Sequence, residues 1–230
     1  MLNYQDLQQV IGINFRDPSL LEQALAHSSY INENPDFPLP DNERLEFLGD
    51  ALLSLVVAEK LYQEFPHLAE GELTEIRTSL VRQETLAQLA SALELGGYLR
   101  LGKGEESTGG RQRATNLANA FEALIGAILL DQGATAAKEF ILSQMGNQLD
   151  EVKTRGIGRN YKALLQELTQ AKHKQLPVYR VVQASGPDHD KDFIVEVALG
   201  DVVLGRGSGK TKRAAEMEAA RSAWEKLKTE

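Results

Sequence analysis

Apolar residues recur at intervals of three and four over the first two thirds of the chain. The clearest series are Leu20, Leu21, Ala24 and Leu25; Leu45, Leu48, Leu52 and Leu55; and Leu117, Phe121, Leu124, Ile125 and Ile128. This spacing gives an α-helix one apolar face that can pack against its neighbours. No alternation typical of a strand interrupts the pattern. The sequence therefore predicts an all-helical domain over residues 1–150.

The pattern changes after the polar, glycine-bearing stretch "DEVKTRGIGRN", which predicts a flexible linker over residues 151–158. A short helix, "YKALLQELTQAKH", is followed by two runs rich in β-branched residues, "VYRVVQA" and "DFIVEVAL". A turn at Gly200-Asp201 leads into a third strand, and "TKRAAEMEAARSAWEKL" predicts a closing helix. Residues 159–230 are therefore expected to form a small α+β domain with the order α-β-β-β-α, in which two helices cover the sheet.

Charge is distributed unevenly between the two predicted domains. The net charge is −8, yet residues 156–230 hold 13 Lys and Arg against 10 Asp and Glu. Residues 1–155 hold 12 against 23. This asymmetry indicates two domains with different tasks. The acidic domain would repel phosphate unless its carboxylates hold metal ions.

Composition narrows the possible cofactors and the location. The chain has no cysteine, which excludes disulfides and thiolate metal sites. Its first residues lack the basic start and apolar run of a secretory signal, and no apolar stretch is long enough to cross a bilayer. We therefore expect a cytoplasmic protein with no membrane partner.

Three carboxylates share one helix face in "NERLEFLGDALLSL". Glu43, Glu46 and Asp50 fall at i, i+3 and i+7, while leucines occupy another face. Like charges at this spacing repel each other, and a bound divalent cation reverses that repulsion. Oxygen-only ligation favours a hard ion such as Mg²⁺ or Mn²⁺. The alternative is a solvated acidic face, which is the commoner use of such a pattern.

A second acidic position lies in the strongly apolar stretch "NLANAFEALIGAILLDQG". Glu122 is expensive to bury there without a partner, and Asn119 offers another oxygen one turn earlier. A metal site shared with the first acidic helix would provide that partner.

The stretch "GRGSGKTKRAAE", Gly205 to Glu216, raises the possibility of a nucleotide-binding loop. The spacing G-x-x-x-x-G-K-[ST] would need a glycine at position 204, which is Leu204. We therefore expect no small-molecule nucleotide. Lys210, Lys212 and Arg213 stand at a helix start, where cations are unfavourable unless an anion binds.

Several motifs together resemble the bacterial ribonuclease III family. The signature is "NERLEFLGDA", and "ALAHSSY", "EGELTEIRTSLV" and "LGKGEESTGG…LANAFEALIGAILLD" accompany it in the same order. The carboxy-terminal part is similar to the double-stranded RNA-binding domain of that family. Its matching pieces are "LLQEL", "GPDHDKDF" and "GSGKTKRAAE". The resemblance extends from about Leu7 to Lys228.

The resemblance implies functional roles for the acidic positions, namely metal binding for Glu46, Asp50, Asn119 and Glu122, and catalysis for Asp50, Glu122, Glu43 and Glu70. It implies Mg²⁺ as cofactor, with Mn²⁺ able to substitute. Asn119 departs from the family pattern, because the best-known members have aspartate there. An amide oxygen can ligate a hard cation but carries no charge.

For the second domain the resemblance implies binding of double-stranded RNA. The basic helix start would span the major groove, with Gln166 and His189 in the flanking minor grooves. The implied activity is hydrolysis of duplex RNA to 5′-phosphate and 3′-hydroxyl ends with short 3′ overhangs, in processing of rRNA and other RNA. The implied assembly is a homodimer. Phe47, Leu48, Leu52 and Leu53 fit either a core or a dimer surface.

Two other functions remain open from the sequence. One is a double-stranded RNA-binding protein that does not cleave, because Asn119 impairs its metal site. The other is a metal-dependent phosphohydrolase for small nucleotides, against which the RNA-binding domain argues.

Overall fold

The computed structural model describes residues 4–154, 161–187 and 191–229. The chain divides into two compact units, Met1–Gly158 and Arg159–Glu230. Each unit has its own hydrophobic core.

The first unit is helical, as the apolar periodicity predicts. Its helices are α1 (Tyr4–Ile11), α2 (Pro18–Ala24), α3 (Ser28–Glu33), α4 (Glu43–Glu64), α5 (Glu70–Val81), α6 (Gln83–Ala92), α7 (Leu95–Tyr98), α8 (Lys103–Ser107), α9 (Ala114–Gln132), α10 (Ala134–Gln144) and α11 (Gly146–Thr154), with a 3₁₀ turn at Gly110–Gln112. Among the described residues of this unit, the only strand-like pairing is an isolated bridge between Ala26 and Arg100.

The central helix of this unit is α9, which is apolar on almost every side. Eleven of its residues are buried, and Phe121, Leu124 and Ile125 are completely so. It packs against α4, α6, α2 and α10. Because a helix buried all round needs neighbours on every face, α9 fixes the positions of the surrounding helices.

Two glycines let α4 and α9 approach until their backbones touch. A Cβ atom at Gly49 would collide with the carbonyl oxygen of Glu122, and one at Gly126 would collide with that of Leu45. Leu45 of α4 meets Gly126 of α9, whereas the later residue Gly49 meets the earlier residue Glu122. The two helices therefore cross antiparallel. The crossing places the acidic residues of α4 beside those of α9.

The linker predicted over 151–158 is wrong in its first half. Helix α11 continues to Thr154, so residues 151–154 are helical. Leu149 and Val152, three residues apart, are both buried and hold this turn against the core. The polar composition of the stretch concealed that apolar pair. Residues 155–158 lie outside the described residues.

The second unit has the predicted order of elements. They are α12 (Tyr161–His173), β1 (Val178–Ser185), β2 (Asp192–Leu199), β3 (Val202–Gly209) and α13 (Lys212–Thr229). The sheet is antiparallel with the order β1-β2-β3. A two-residue turn at Gly200-Asp201 joins β2 to β3, and Gly200 has the positive φ of 59° that such a turn requires. Val195 and Val197 of β2 pack with alanines of α13.

The glycine-rich stretch forms strand β3 rather than the loop that the sequence suggests. Gly205, Gly207 and Gly209 alternate along β3 and all face α13. A Cβ atom at Gly205 would lie 2.6 Å from the carbonyl oxygen of Ala219. These glycines are therefore required for close contact between a strand and a helix.

Candidate active site

The crossing of α4 and α9 brings predicted site residues from both helices into one electrostatic group. Glu122 is largely buried on α9. Burial, followed by the charges of Asp50 and Glu46 on α4, raises its pKa to about 7. A carboxyl group responds in this way when its charged form loses water and meets like charges. Glu46, Asp50 and Glu122 therefore act on one another across the helix crossing.

Glu46 is coupled to the same group. Burial, and then the charge of Glu43, raises the pKa of Glu46, and a smaller contribution comes from Asp50. The neighbouring side chain of Asn119 opposes this shift and lowers the pKa of Glu46. Asn119 thus acts on the carboxylate that it was expected to join at a metal site, and its effect favours the charged form of that carboxylate.

Glu70 stands apart from this group in the structure. It is the first residue of α5, and its carboxylate accepts a hydrogen bond of 3.1 Å from Thr74 in the same helix. Glu70 does not contribute to the raised pKa of Glu122. Its catalytic role stays a prediction.

The chemistry of the acidic group fits a hard divalent cation. All of its donor atoms are oxygens, from three carboxylates and one amide. Within the described residues, no Lys, Arg or His side chain forms an ion pair with Glu46, Asp50 or Glu122. Yet in that same part of the chain no three Asp, Glu, His or Cys side chains already converge to hold an ion. The donors thus suit Mg²⁺ or Mn²⁺ in kind, and their side chains would have to turn inward to ligate one.

The basic residues of the second unit lie around the start of α13. Thr211 caps the helix by accepting a hydrogen bond of 3.1 Å from the backbone N–H of Ala214. Lys210 precedes the cap and pairs with Asp192 at 3.1 Å, an exposed pair that costs little to exchange for another anion. Lys212 and Arg213 form the exposed first turn.

The two remaining predicted RNA contacts differ in what the structure shows. Gln166 is exposed on α12, where a ligand can reach it. His189 lies outside the described residues.

An exposed apolar strip on α4 is the surface that sequence reasoning left unresolved. The side chain of Phe47 is 78% exposed, whereas Leu53 is completely buried. Leu55 and Tyr62, on the same side as Phe47, are 64% and 75% exposed. The run Phe47–Leu53 therefore divides between surface and core. Which of these residues are exposed depends on the rotation of α4 about its own axis. The contact between Gly49 and α9 fixes that rotation.

The described helices include none that is both long and apolar enough to cross a membrane.

Comparison with known proteins agrees with both units. Residues 17–149 match the family described as Ribonuclease-III-like, and residues 161–227 match the double-stranded RNA binding motif. The chain is 48% identical over 222 residues to Ribonuclease 3 of Natranaerobius thermophilus, covering 96% of this chain and 95% of that protein. It is 46% identical over 223 residues to Ribonuclease 3 of Dehalococcoides mccartyi, covering 97% and 94%.

A solved structure supports the fold of the first unit. The nuclease domain of ribonuclease III from Campylobacter jejuni is 39% identical and superposes with a TM-score of 0.59. The match covers 63% of this chain and 97% of that domain. Fold, acidic crossing and sequence similarity together define an endoribonuclease that acts on double-stranded RNA. The chain belongs to the ribonuclease III family, as its motifs indicate.

Proposed function

We propose that this endoribonuclease uses Mg²⁺ at the crossing of α4 and α9, through Glu46, Asp50, Asn119 and Glu122. The observation that carries the proposal is Glu122, whose pKa is raised to about 7 by burial and by two neighbouring carboxylates. Partly buried carboxylates that repel each other destabilise the fold. A divalent cation bound between them removes that repulsion and is itself held by their charges. Mn²⁺ has the same ligand preferences and should substitute.

The proposed division of labour separates chemistry from binding. When bound, the ion would supply Lewis-acid activation of the phosphodiester and of water. The carboxylates of Glu46, Asp50 and Glu122 and the amide oxygen of Asn119 would hold it, and Asn119 also favours the charged form of Glu46. The exposed start of α13 offers Lys212 and the positive end of the helix dipole to a phosphate of the duplex. Products with 5′-phosphate, 3′-hydroxyl and short 3′ overhangs follow from the family resemblance.

We also propose that the protein acts as a homodimer. The exposed strip of Phe47, Leu55 and Tyr62 is the support, because large apolar side chains grouped on one helix face commonly mark a protein interface. The same helix carries Glu46 and Asp50, so an interface there would lie beside the acidic group. The nuclease domain of the Campylobacter jejuni protein has a region that is involved in dimer formation. Processing of rRNA and a cytoplasmic location stay predictions.

Glu122→Gln tests the proposed site. This change keeps the shape of the side chain and removes its charge. We expect cleavage of a long RNA duplex to stop at any Mg²⁺ concentration, while binding of the duplex is unchanged or slightly tighter. Glu139→Gln, on the neighbouring helix α10, is the matched control and should cleave normally. Substantial Mg²⁺-dependent cleavage by Glu122→Gln would remove Glu122 from the mechanism.

A double-stranded RNA-binding protein without cleavage is the second candidate. The observation in its favour is that Asn119 supplies no negative charge to the acidic group. Titration of cleavage against Mg²⁺, for the unmodified protein and for Asn119→Asp, separates the two candidates.

A further inference from the structure

Two buried asparagines lie at the starts of the two acid-bearing helices. Asn42 caps the start of α4, one turn before Glu46, and Asn116 lies in the first turn of α9, three residues before Asn119. Both are almost completely buried, at 3% and 6% exposure. Within the described residues of the helical unit, Thr85 is the only other buried polar side chain. Burial of an amide is costly unless its hydrogen bonds are made.

Asn42 ties the start of α4 to the turn between α2 and α3. Its backbone N–H donates to the carbonyl of Ala26 at 2.9 Å, and its side-chain Nδ2 donates to the carbonyl of Ala24 at 3.3 Å. Its own carbonyl accepts the backbone N–H of Glu46 at 2.9 Å. The side chain makes no capping bond within α4. The side-chain Nδ2 group donates to a residue outside α4 instead, so this bond fixes the start of α4 relative to the rest of the domain.

Asn116 ties the start of α9 to the segment before it. Its Nδ2 donates to Glu105 Oε1 at 2.7 Å and to the carbonyl of Gly110 at 3.0 Å. Glu105 also accepts a hydrogen bond from Arg113. The bond from Asn116 is the first cause of the lowered pKa of Glu105, so the carboxylate is held in its charged, accepting form.

We infer that Asn42 and Asn116 are positioning residues that set the register of the two acidic helices at their crossing. Each fixes one end of a helix, and the contact of Gly49 with Glu122 fixes the crossing point. Together these constraints determine how Glu46 stands relative to Asn119 and Glu122. A displacement of about 1 Å at such a site can lower a rate about 100-fold. The inference rests on the proposed active site.

Three variants test the inference in the full-length protein. Asn42→Ala removes one anchor, and Asn116→Asp places a carboxylate against that of Glu105. The third variant adds Glu105→Gln to Asn116→Asp, so that donor and acceptor are exchanged and the hydrogen bond between these two side chains is restored, while the bond to the carbonyl of Gly110 is not. Thr85→Val is the matched control, because Thr85 is a buried anchor on α6, which carries no predicted site residue, and its hydroxyl donates at 3.0 Å to the carbonyl of Ser79, at the opposite end of α5 from Glu70.

The measurements are made below the unfolding temperature of every variant, with circular dichroism to verify that each is folded. We expect Asn42→Ala and Asn116→Asp to lower kcat about 10- to 100-fold, with KM for duplex RNA nearly unchanged. Calorimetric titration with Mn²⁺ alone should show weaker binding in both. Adding Glu105→Gln should restore much of kcat and of Mn²⁺ affinity. Thr85→Val should lower thermal stability and leave kcat and Mn²⁺ affinity at the level of the unmodified protein.

Two results would overturn the inference. One is an unchanged kcat and Mn²⁺ affinity in folded Asn42→Ala and Asn116→Asp. The other is an equal loss of kcat and Mn²⁺ affinity in Thr85→Val, which would show that Asn42 and Asn116 contribute only to overall stability. If Asn116→Asp does not fold, Asn42→Ala decides. Failure of the proposed active site gives a different result, namely cleavage by Glu122→Gln.

Discussion

The backbone of Gly49 lies against the carbonyl group of Glu122, with no room for a Cβ atom between them. This contact joins the acidic residues of two helices that are more than seventy positions apart in the sequence. The carboxylates that repel each other are therefore held together by backbone packing and by the apolar core around α9. Stability and activity should both depend on this contact.

The first prediction concerns Gly49→Ala. The added methyl group must push α4 and α9 apart, because it meets backbone atoms that cannot rotate away. We expect a loss of about 1–3 kcal/mol in the free energy of unfolding, measured by urea denaturation, and a loss of cleavage. Gly71→Ala is the control, since a Cβ atom there meets nothing within 4 Å. Alanine in helix α5 should be neutral or slightly stabilising.

A second prediction concerns the pH dependence of stability without metal. The folded-state pKa of Glu122 is raised from 4.5 to about 7, so the folded protein binds a proton that the unfolded chain has released. Stability should therefore fall as the pH rises from about 4.5 to 7. Glu122→Gln should be more stable than the unmodified protein at pH 8, by about 1–2 kcal/mol after allowance for its partial exposure, and equal to it at pH 4.

Chelator-treated protein, unfolded with urea at both pH values, provides the measurement. Addition of Mg²⁺ at pH 8 should stabilise the unmodified protein and leave Glu122→Gln nearly unchanged. An equal difference between the two proteins at pH 4 and pH 8 would contradict the assignment of the titration to Glu122.

A third prediction concerns Asn119→Asp. The change adds a negative charge to the group of Glu46, Asp50 and Glu122, so cleavage should reach half its maximal rate at a lower Mg²⁺ concentration. One more charge next to a divalent ion is worth roughly 1 kcal/mol in a wet site, or several-fold in affinity. A parallel titration with Mn²⁺ should show the same direction. If the unmodified protein is inactive at every metal concentration and Asn119→Asp is active, the chain is a binding protein that does not cleave.

A fourth prediction concerns the strand glycines. Gly207→Ala places a methyl group against the backbone of Ala219 and Glu218 in α13, so α13 must move away from the sheet. We expect the RNA-binding unit to lose about 1–3 kcal/mol of stability and to bind duplex RNA more weakly. Ser208→Ala, the next residue, points away from α13 and is the control. Equal stability of the two variants would show that the contact adjusts without cost.

A fifth prediction concerns the salt dependence of duplex binding. If Lys212 contacts a phosphate, Lys212→Ala should weaken binding and reduce the slope of log K against log salt by about 0.9, the value for a single contact on B-DNA. Lys228→Ala, at the far end of α13, should leave the slope unchanged. Fluorescence anisotropy with duplex RNA from low to physiological salt provides the slope. The same slope in both variants would exclude Lys212 from the phosphate contacts.

Periodicity and motifs predicted much of the fold because both reflect local constraints. The helix faces around Leu45 and Leu117, the strand runs and the turn at Gly200 are all readable within a few residues. The strand formed by "GRGSG" was not predictable, because its glycines are required by contact with α13, which begins later in the chain. A glycine-rich stretch before a basic helix looks like a loop until α13 is seen against it.

The acidic residues of the candidate site were predictable from charge spacing and from the family motifs. The residues that hold these acidic side chains in position were not predictable. Asn42 and Asn116 carry no charge and follow no period, and their side chains bond to the backbone carbonyls of Ala24 and Gly110 and to the Glu105 carboxylate in other segments. Such hydrogen bonds leave no mark in composition, so only the folded arrangement identifies them. The same holds for Phe47, whose exposure depends on the rotation of α4.

Few substitutions can be tolerated in α4 between Glu46 and Asp50. Glu46 and Asp50 face the acidic group, Phe47 faces outward, Leu48 is partly buried, and Gly49 must remain without a side chain. These five consecutive positions thus satisfy four different requirements, and a residue suited to one requirement does not meet another. In a library of random replacements across this segment, few variants should survive selection for cleavage. This density of requirements explains why so short a segment is enough to distinguish the family.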